Sequence, residues 1–213
     1  MLNFPTKRVF SLLGIPRSGK DVVAQYLKET RGFEIFAFAD QVKEEYGISK
    51  EAFESAKLSG DPGDIENIRN DLWHFSEQIR AKDPVHFING VIDKIRISPN
   101  SAVVTDIRTK DEMAAIFDFV YEGTMYFVDD GEPHEKDGLL IQSKLKMADI
   151  DTEIKYGKIK VIQNAKQGLY YFYQYLDRFF LNEDISCLIS DTEDKNEVIR
   201  YLECFNISQK GSF

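Results

Sequence analysis

At 213 residues, 43% hydrophobic and 30% charged, the chain has the composition of a globular protein with one sizeable core, not of a disordered or fibrous one. Its formal net charge of −9 opposes a nucleic-acid backbone, whereas a small anionic ligand needs only a local positive site such as a helix N-terminus. No apolar run approaches the roughly 20 residues of a membrane span, and Met1 to Arg8 lack a signal-peptide pattern, so the expectation is a cytoplasmic protein without membrane or nucleic-acid polymer as partner.

In chain order, Val9 to Leu13 is a short apolar run closed by Gly14 and predicts a buried strand. From Lys20 a helical pattern places Val22, Val23, Tyr26 and Leu27 on one face and stops near Arg31-Gly32. Phe33 to Phe38 reads as the second strand, and Asp40 opens a helix carrying Val42, Lys43 and Tyr46. The stretch Ser59 to Asp64 is a loop signal. Helix resumes at Ile65 with Ile68, Leu72, Phe75 and Ile79 in register, and Asp83-Pro84 starts another. Ala102 to Thr105 is a third strand ending at Asp106. Asp111 to Val120 reads as helix and Thr124 to Val128 as a fourth strand.

Asp129 to Gly157 is polar and poorly periodic, predicting a long loop with a helix around Ser143 to Ala148. Lys158 to Gln163 is a fifth strand and Ala165 to Phe180 an aromatic helix. The tail, 182–213, offers a short strand over Ser186 to Ser190 and a helix over Glu193 to Phe205. Cys187 and Cys204 fit neither metal-ligand spacing nor a disulfide framework. Strands alternating with helices predict an α/β fold with a mostly parallel sheet covered on both faces.

The strongest chemical signal is Gly14-Ile15-Pro16-Arg17-Ser18-Gly19-Lys20-Asp21, between the first strand and the first helix. Gly14 and Gly19 let the backbone curl so that successive N–H groups point at phosphate oxygens. The helix N-terminus adds its positive dipole end, and Lys20 reaches the β- and γ-phosphates. Asp21 stands where a Ser or Thr usually binds Mg²⁺, and a carboxylate can serve the ion directly or through water. The expected ligands are therefore ATP and Mg²⁺. Arg69 and Arg80, 11 apart, fall about three turns along one helix face. Asp106 ends an apolar strand, where a bare carboxylate needs a reason.

With the cradle at Arg17 to Asp21, Phe-Ala-Asp-x-x-Lys at Phe38 to Lys43, Asp-x-Arg at Asp106 to Arg108 with Glu112, and a strand ending at Asn164, the sequence resembles the phage-type deoxynucleoside monophosphate kinases. It is more distantly similar to animal-type phosphomevalonate kinases. The resemblance covers about Val9 to Phe180. It implies a three-layer P-loop NTPase fold with a five-stranded parallel sheet flanked by helices. It also implies transfer of the ATP γ-phosphoryl to a phosphorylated small molecule, first among them a deoxynucleoside monophosphate. By position, Arg17 and Lys20 would contact the transferring phosphoryl, and Asp21 and Asp106 would hold Mg²⁺ or its waters. Asp40, Lys43, Arg69 and Arg80 would line the acceptor side, and Arg108 would face the phosphates. Trp73, Phe75, Gln78 and Asn70 are the candidates for contacting a nucleobase.

Relatives of this type carry arginines in a lid, yet no arginine lies between Arg108 and Arg178, so Lys144 or Lys146 is the expected substitute in a lid-like segment at 129–157. Phosphomevalonate or dephospho-coenzyme A as acceptor, and a non-catalytic nucleotide-binding role, remain alternatives. The expected organisation is a kinase-like domain over 1–181 and an extension over 182–213, where an apolar face on Val198, Leu202 and Phe205 could dock a partner or make a homodimer.

Overall fold

The computed structural model describes residues 7–58, 62–119, 124–131 and 145–191. Chain contacts divide it into two units, 1–165 and 166–213. In the first, five strands form one sheet: β1 Val9–Leu13, β2 Glu34–Ala37, β3 Ala102–Thr105, β4 Thr124–Asp129 and β5 Ile159–Gln163. Every pairing is parallel and the order is β2-β3-β1-β4-β5. The expected five-stranded parallel α/β sheet is thus the observed one.

Parallel strands buried on both faces read as continuous apolar runs, and all five residues of β1 are buried. Alternate residues face opposite layers. Val9, Leu13, Ala102, Val104, Met125, Phe127 and Ile159 pack with α2 (Phe38–Tyr46), α5 (His86–Ile97), α6 (Lys110–Phe119) and α7 (Met147–Lys155). On the other face Phe10 stacks on Phe33 at 4.9 Å and meets Tyr126 edge-on at 5.3 Å. There α1 (Lys20–Arg31) buries Val23, Ala24, Tyr26 and Leu27, and it ends on Gly32 with a left-handed φ of 69°. A smaller cluster of Val42, Phe53, Leu72 and Phe87 joins α2 and α5 to α3 (Lys50–Leu58) and α4 (Pro62–Arg80).

In the first unit the structure differs from the sequence reading at several elements and boundaries. α3 was not foreseen, because its apolar positions are too few to stand out. α2 begins two residues before Asp40, and α5 two residues after Pro84. The helix expected near Ser143 to Ala148 is α7, Met147–Lys155.

The second unit holds α8, Leu169–Asp191, which runs through the segment read as a strand at Ser186 to Ser190. The apolar residues Leu181, Ile185, Leu188 and Ile189 follow the helical period, and a short apolar run alone does not separate strand from buried helix. α8 carries a chain of rings, Phe172–Tyr175, Tyr175–Phe179 and Phe179–Phe180, with centroids 5.2 to 6.3 Å apart. Of the loop expected over Ser59 to Asp64, residues 62–64 are already helix, since Pro fits a first helical turn, while 59–61, Lys144 and the helix over Glu193 to Phe205 with its apolar face lie outside the described residues. Among the described residues no helix is long and apolar enough to cross a membrane.

Candidate active site

Because all five strands point one way, their C-terminal ends open on one edge, where ligands of open α/β sheets bind. β1 delivers Gly14, β2 leads into Phe38, β3 delivers Asp106 and β5 delivers Asn164. A cavity of about 810 Å³ lies on this edge, within the size range of small-molecule sites.

Gly14 to Lys20 wraps between β1 and α1. A Cβ at Gly14 would stand 2.5 Å from Ser18 Oγ and 3.0 Å from the Val128 carbonyl oxygen, so only glycine lets these segments approach. Gly19, the α1 N-cap, has φ 101°, again a glycine conformation. Arg17 adopts φ 69° and Asp106 φ 59°, positions that an L side chain rarely occupies. Such strain concentrates at working sites, and both residues line the cavity. The Ser18 N–H donates to the Ile15 carbonyl at 3.2 Å, and the Asn164 amide donates to the Ser18 carbonyl at 2.8 Å, fixing the cradle to the end of β5.

Gly14, Pro16, Arg17, Lys20 and Asp21 line the cavity, whereas Ile15, Ser18 and Gly19 shape the turn behind it. Lys20 and Arg17 make no ion pair or hydrogen bond with described residues, which leaves both cations available to an anion.

The acceptor-side expectations divide. Arg69, Asn70, Leu72, Trp73, Ser76 and Arg80 of α4 all line the cavity, so the two arginines do share a helix face. Phe75 instead meets Tyr46 edge-on at 5.4 Å, and Gln78 is not among the lining residues. Lys43 lines the cavity, but Asp40 does not: its carboxylate accepts from Lys43 Nζ at 2.6 Å and so steadies that lysine. Lys43 also lies 4.5 Å over the Phe53 ring, whose surroundings include Lys57 at 5.2 Å. Lys57 and Phe53 are lining residues that the sequence reading missed, because both belong to α3. Of the expected lid lysines, Lys146 is exposed and precedes α7.

Arg108 lies 3.9 Å from Asp106, a loose pairing. The loop they occupy is held from behind. Glu112, 1% exposed, accepts from the backbone N–H groups of Arg108 at 2.7 Å and Thr109 at 3.0 Å, and from Arg80 Nη2 at 3.1 Å. Burial pushes its carboxyl up from the ordinary value, opposed by the Arg108 N–H, the Arg80 charge and the Thr109 N–H. Arg80 Nη1 donates to Ser76 Oγ at 2.9 Å, and the guanidinium lies 5.4 Å over the Phe87 ring.

Seven lining side chains are cationic (Arg17, Lys20, Lys43, Lys57, Arg69, Arg80, Arg108) and three anionic (Asp21, Asp106, Glu112), so the cavity is positive in a chain of net charge −9. Asp21 and Asp106 offer two carboxylates on the phosphate side. Mg²⁺ suits such a site, since it takes one or two carboxylates and completes its shell with phosphate and water.

A Gly-x₄-Gly-Lys cradle between the central strand and its helix, facing a cationic cavity, defines a P-loop kinase that phosphorylates a small molecule. The chain belongs to the phosphomevalonate kinase family, whose profile matches residues 12–122, just over half its length. Among solved structures it is similar to a dephospho-CoA kinase from Campylobacter jejuni, with 13% identity and a TM-score of 0.48 over 83% of this chain and 97% of that one. It is also similar to a shikimate kinase from Aquifex aeolicus, with 14% identity and a TM-score of 0.41 over 85% and 98%. A gluconokinase from Sinorhizobium meliloti shows 13% identity and a TM-score of 0.40 over 86% and 98%. No curated protein matches the chain.

Proposed function

We propose that the protein transfers the γ-phosphoryl group of ATP to the phosphate of a deoxynucleoside monophosphate, giving the diphosphate. The observation that carries this reading is the cavity-facing side of α4. It carries Arg69 and Arg80 for an acceptor phosphate, and Trp73 and Asn70 for a flat base with hydrogen-bonding edges. An oxygen of the acceptor phosphate attacks the γ-phosphorus as the β–γ bridging P–O bond breaks, and ADP leaves. Such transfer asks of the protein mainly in-line placement and positive charge. The cradle N–H groups and Lys20 bind the triphosphate, and Arg17 and Arg108 offset charge on the transferring group. Lys43, Arg69 and Arg80 orient the acceptor. Asp21 and Asp106 would hold Mg²⁺ or its waters, the ion supplying charge neutralisation at the phosphates.

Membership of the phosphomevalonate kinase family favours a second reading, in which the same transfer goes to phosphomevalonate. The acceptor phosphate is common to both; the difference is a base in one and an alcohol and carboxylate in the other. The test is ADP release from ATP and Mg²⁺ with the four deoxynucleoside monophosphates, their ribose counterparts, phosphomevalonate and dephospho-coenzyme A. Turnover with a deoxynucleotide, lowered about 10²–10³-fold in Lys20→Ala, is the expected result. Turnover with phosphomevalonate alone moves the assignment to the second reading. ATP binding without turnover of any acceptor rejects both and leaves a nucleotide-binding role.

A further inference from the structure

Glu112 carries more than its helix requires. With Thr109 it forms a reciprocal cap on α6: the Glu112 N–H donates to Thr109 Oγ1 at 3.1 Å while the Thr109 N–H donates to Glu112 Oε2. A neutral glutamine serves that cap equally well. A buried carboxylate, by contrast, is costly unless it is paired and hydrogen-bonded. Here the charge has two further uses. Oε2 also takes the Arg108 N–H, and Oε1 takes Arg80 Nη2 from a different helix. One side chain therefore ties the last turn of α4 to the loop that follows β3. That loop is held on its other side as well, since the Arg108 carbonyl accepts the Leu145 N–H at 3.2 Å.

We propose that Glu112 is a positioning residue for phosphoryl transfer, locking Arg80 of the acceptor side and the Asp106–Arg108 loop of the phosphate side into one frame. Arg80 is then a fixed guide. Its charge is already offset by Glu112 at 3.1 Å, on a different helix, and more loosely by Glu77 at 3.5 Å, on its own, and its plane is set by Ser76, Phe87 and Glu112 together. The acceptor-side arginine that makes no ion pair with described residues is Arg69, which is exposed and lines the cavity. Arg69 supplies attraction, Arg80 supplies direction, and Glu112 transmits that direction to the loop bearing Asp106.

The inference rests on the phosphoryl-transfer reading, and its test separates the two. The first measurement is nitrogen-15 NMR of the Arg80 guanidinium in the full chain, assigned through its loss in Arg80→Lys. A guanidinium held by Glu112 and Ser76 gives distinct, slowly exchanging Nη signals in the wild type. In Glu112→Gln these collapse to an average while the backbone amide spectrum stays dispersed. The second is steady-state kinetics of Glu112→Gln with the acceptor identified above. The expectation is kcat lowered about 10- to 100-fold with the KM for ATP within about twofold, since misplacement of about 1 Å costs about that much. A merely structural role would lower thermal stability and leave kcat per folded molecule unchanged. Averaged Arg80 signals in the wild type, or an unchanged kcat in a folded Glu112→Gln, overturn the proposal. Absence of turnover with every acceptor rejects the kinase reading instead, and the guanidinium signals still decide whether Glu112 holds Arg80.

Discussion

Gly14 shows how a single residue sets the cradle. Any larger side chain there meets Ser18 Oγ at 2.5 Å and a backbone oxygen of β4 at 3.0 Å, and the second neighbour belongs to the sheet and cannot swing aside. Gly14→Ala is therefore expected to lose ATP affinity by at least tenfold and to destabilise the fold by about 1–3 kcal/mol, the usual cost of overpacking. Calorimetric titration with ATP and a denaturant midpoint check the two effects, and an unchanged affinity would show that the cradle can deform. Residues of this kind were legible in the sequence because glycine spacing and a following lysine announce a backbone geometry. Asp106 was legible for a different reason: a carboxylate at the end of an apolar strand has to be explained. Glu112 was visible as part of a motif, but its use was not. Its partner Arg80 lies 32 residues earlier on another helix, and nothing local joins them. Asp40 shows the converse. The sequence presented it as an acceptor-side group, whereas the fold turns it toward Lys43.

Among the elements, those with strong periodicity or a terminal glycine were found close to their observed limits. α1 and β3 are the clearest cases. α3 escaped because it contributes little beyond Phe53 to the core, and with it went Lys57. The 186–190 stretch failed because its apolar residues suit two periods, and only the continuity of α8 decides between them. α6 and α7 are linked by an ion pair, Lys110 Nζ to Asp149 Oδ1 at 2.9 Å, with the Lys146 N–H also donating to Asp149 at 3.2 Å. The hydrogen bond from Lys110, with help from Lys146, holds the Asp149 carboxyl below its ordinary value of 3.8. A carboxylate depressed in the folded state contributes stability that is present above its unfolded value and is lost as pH falls through the folded value. Wild type is therefore expected to lose more stability than Lys110→Met as pH is lowered from about 5 to about 2. Parallel acid-denaturation curves for the two proteins would show that the pair contributes nothing.

For the molecule as a whole, the contrast between a cationic cavity and an acidic chain is a device for collecting anions. Seven cations against three anions leave the cavity positive in a chain of net charge −9. Ligand capture should then depend on salt, because exposed cations such as Arg17, Lys57 and Arg69 are screened over about 10 Å at 0.1 M ionic strength. Raising ionic strength from about 0.05 to about 0.5 M is expected to raise the KM of a phosphorylated acceptor several-fold while changing kcat little. A flat KM across that range would mean that the half-buried Arg80, not the exposed cations, dominates capture. The parallel sheet itself was the most legible feature of all, since alternating strands and helices allow few other arrangements.

The strand order has a consequence for how the protein comes to exist. β1 leaves the ribosome first, yet it is the middle of the finished sheet, and its two neighbours begin at Ala102 and Thr124. The cradle is complete only when Asn164 arrives to hold Ser18. During synthesis the apolar run Val9 to Leu13 therefore has no native strand partner until Ala102 to Thr105 has been made, an interval in which an apolar strand is open to mispairing or chaperone capture. The cradle sequence is therefore made early, while the contact that fastens it to the sheet is made only with the last strand of the five.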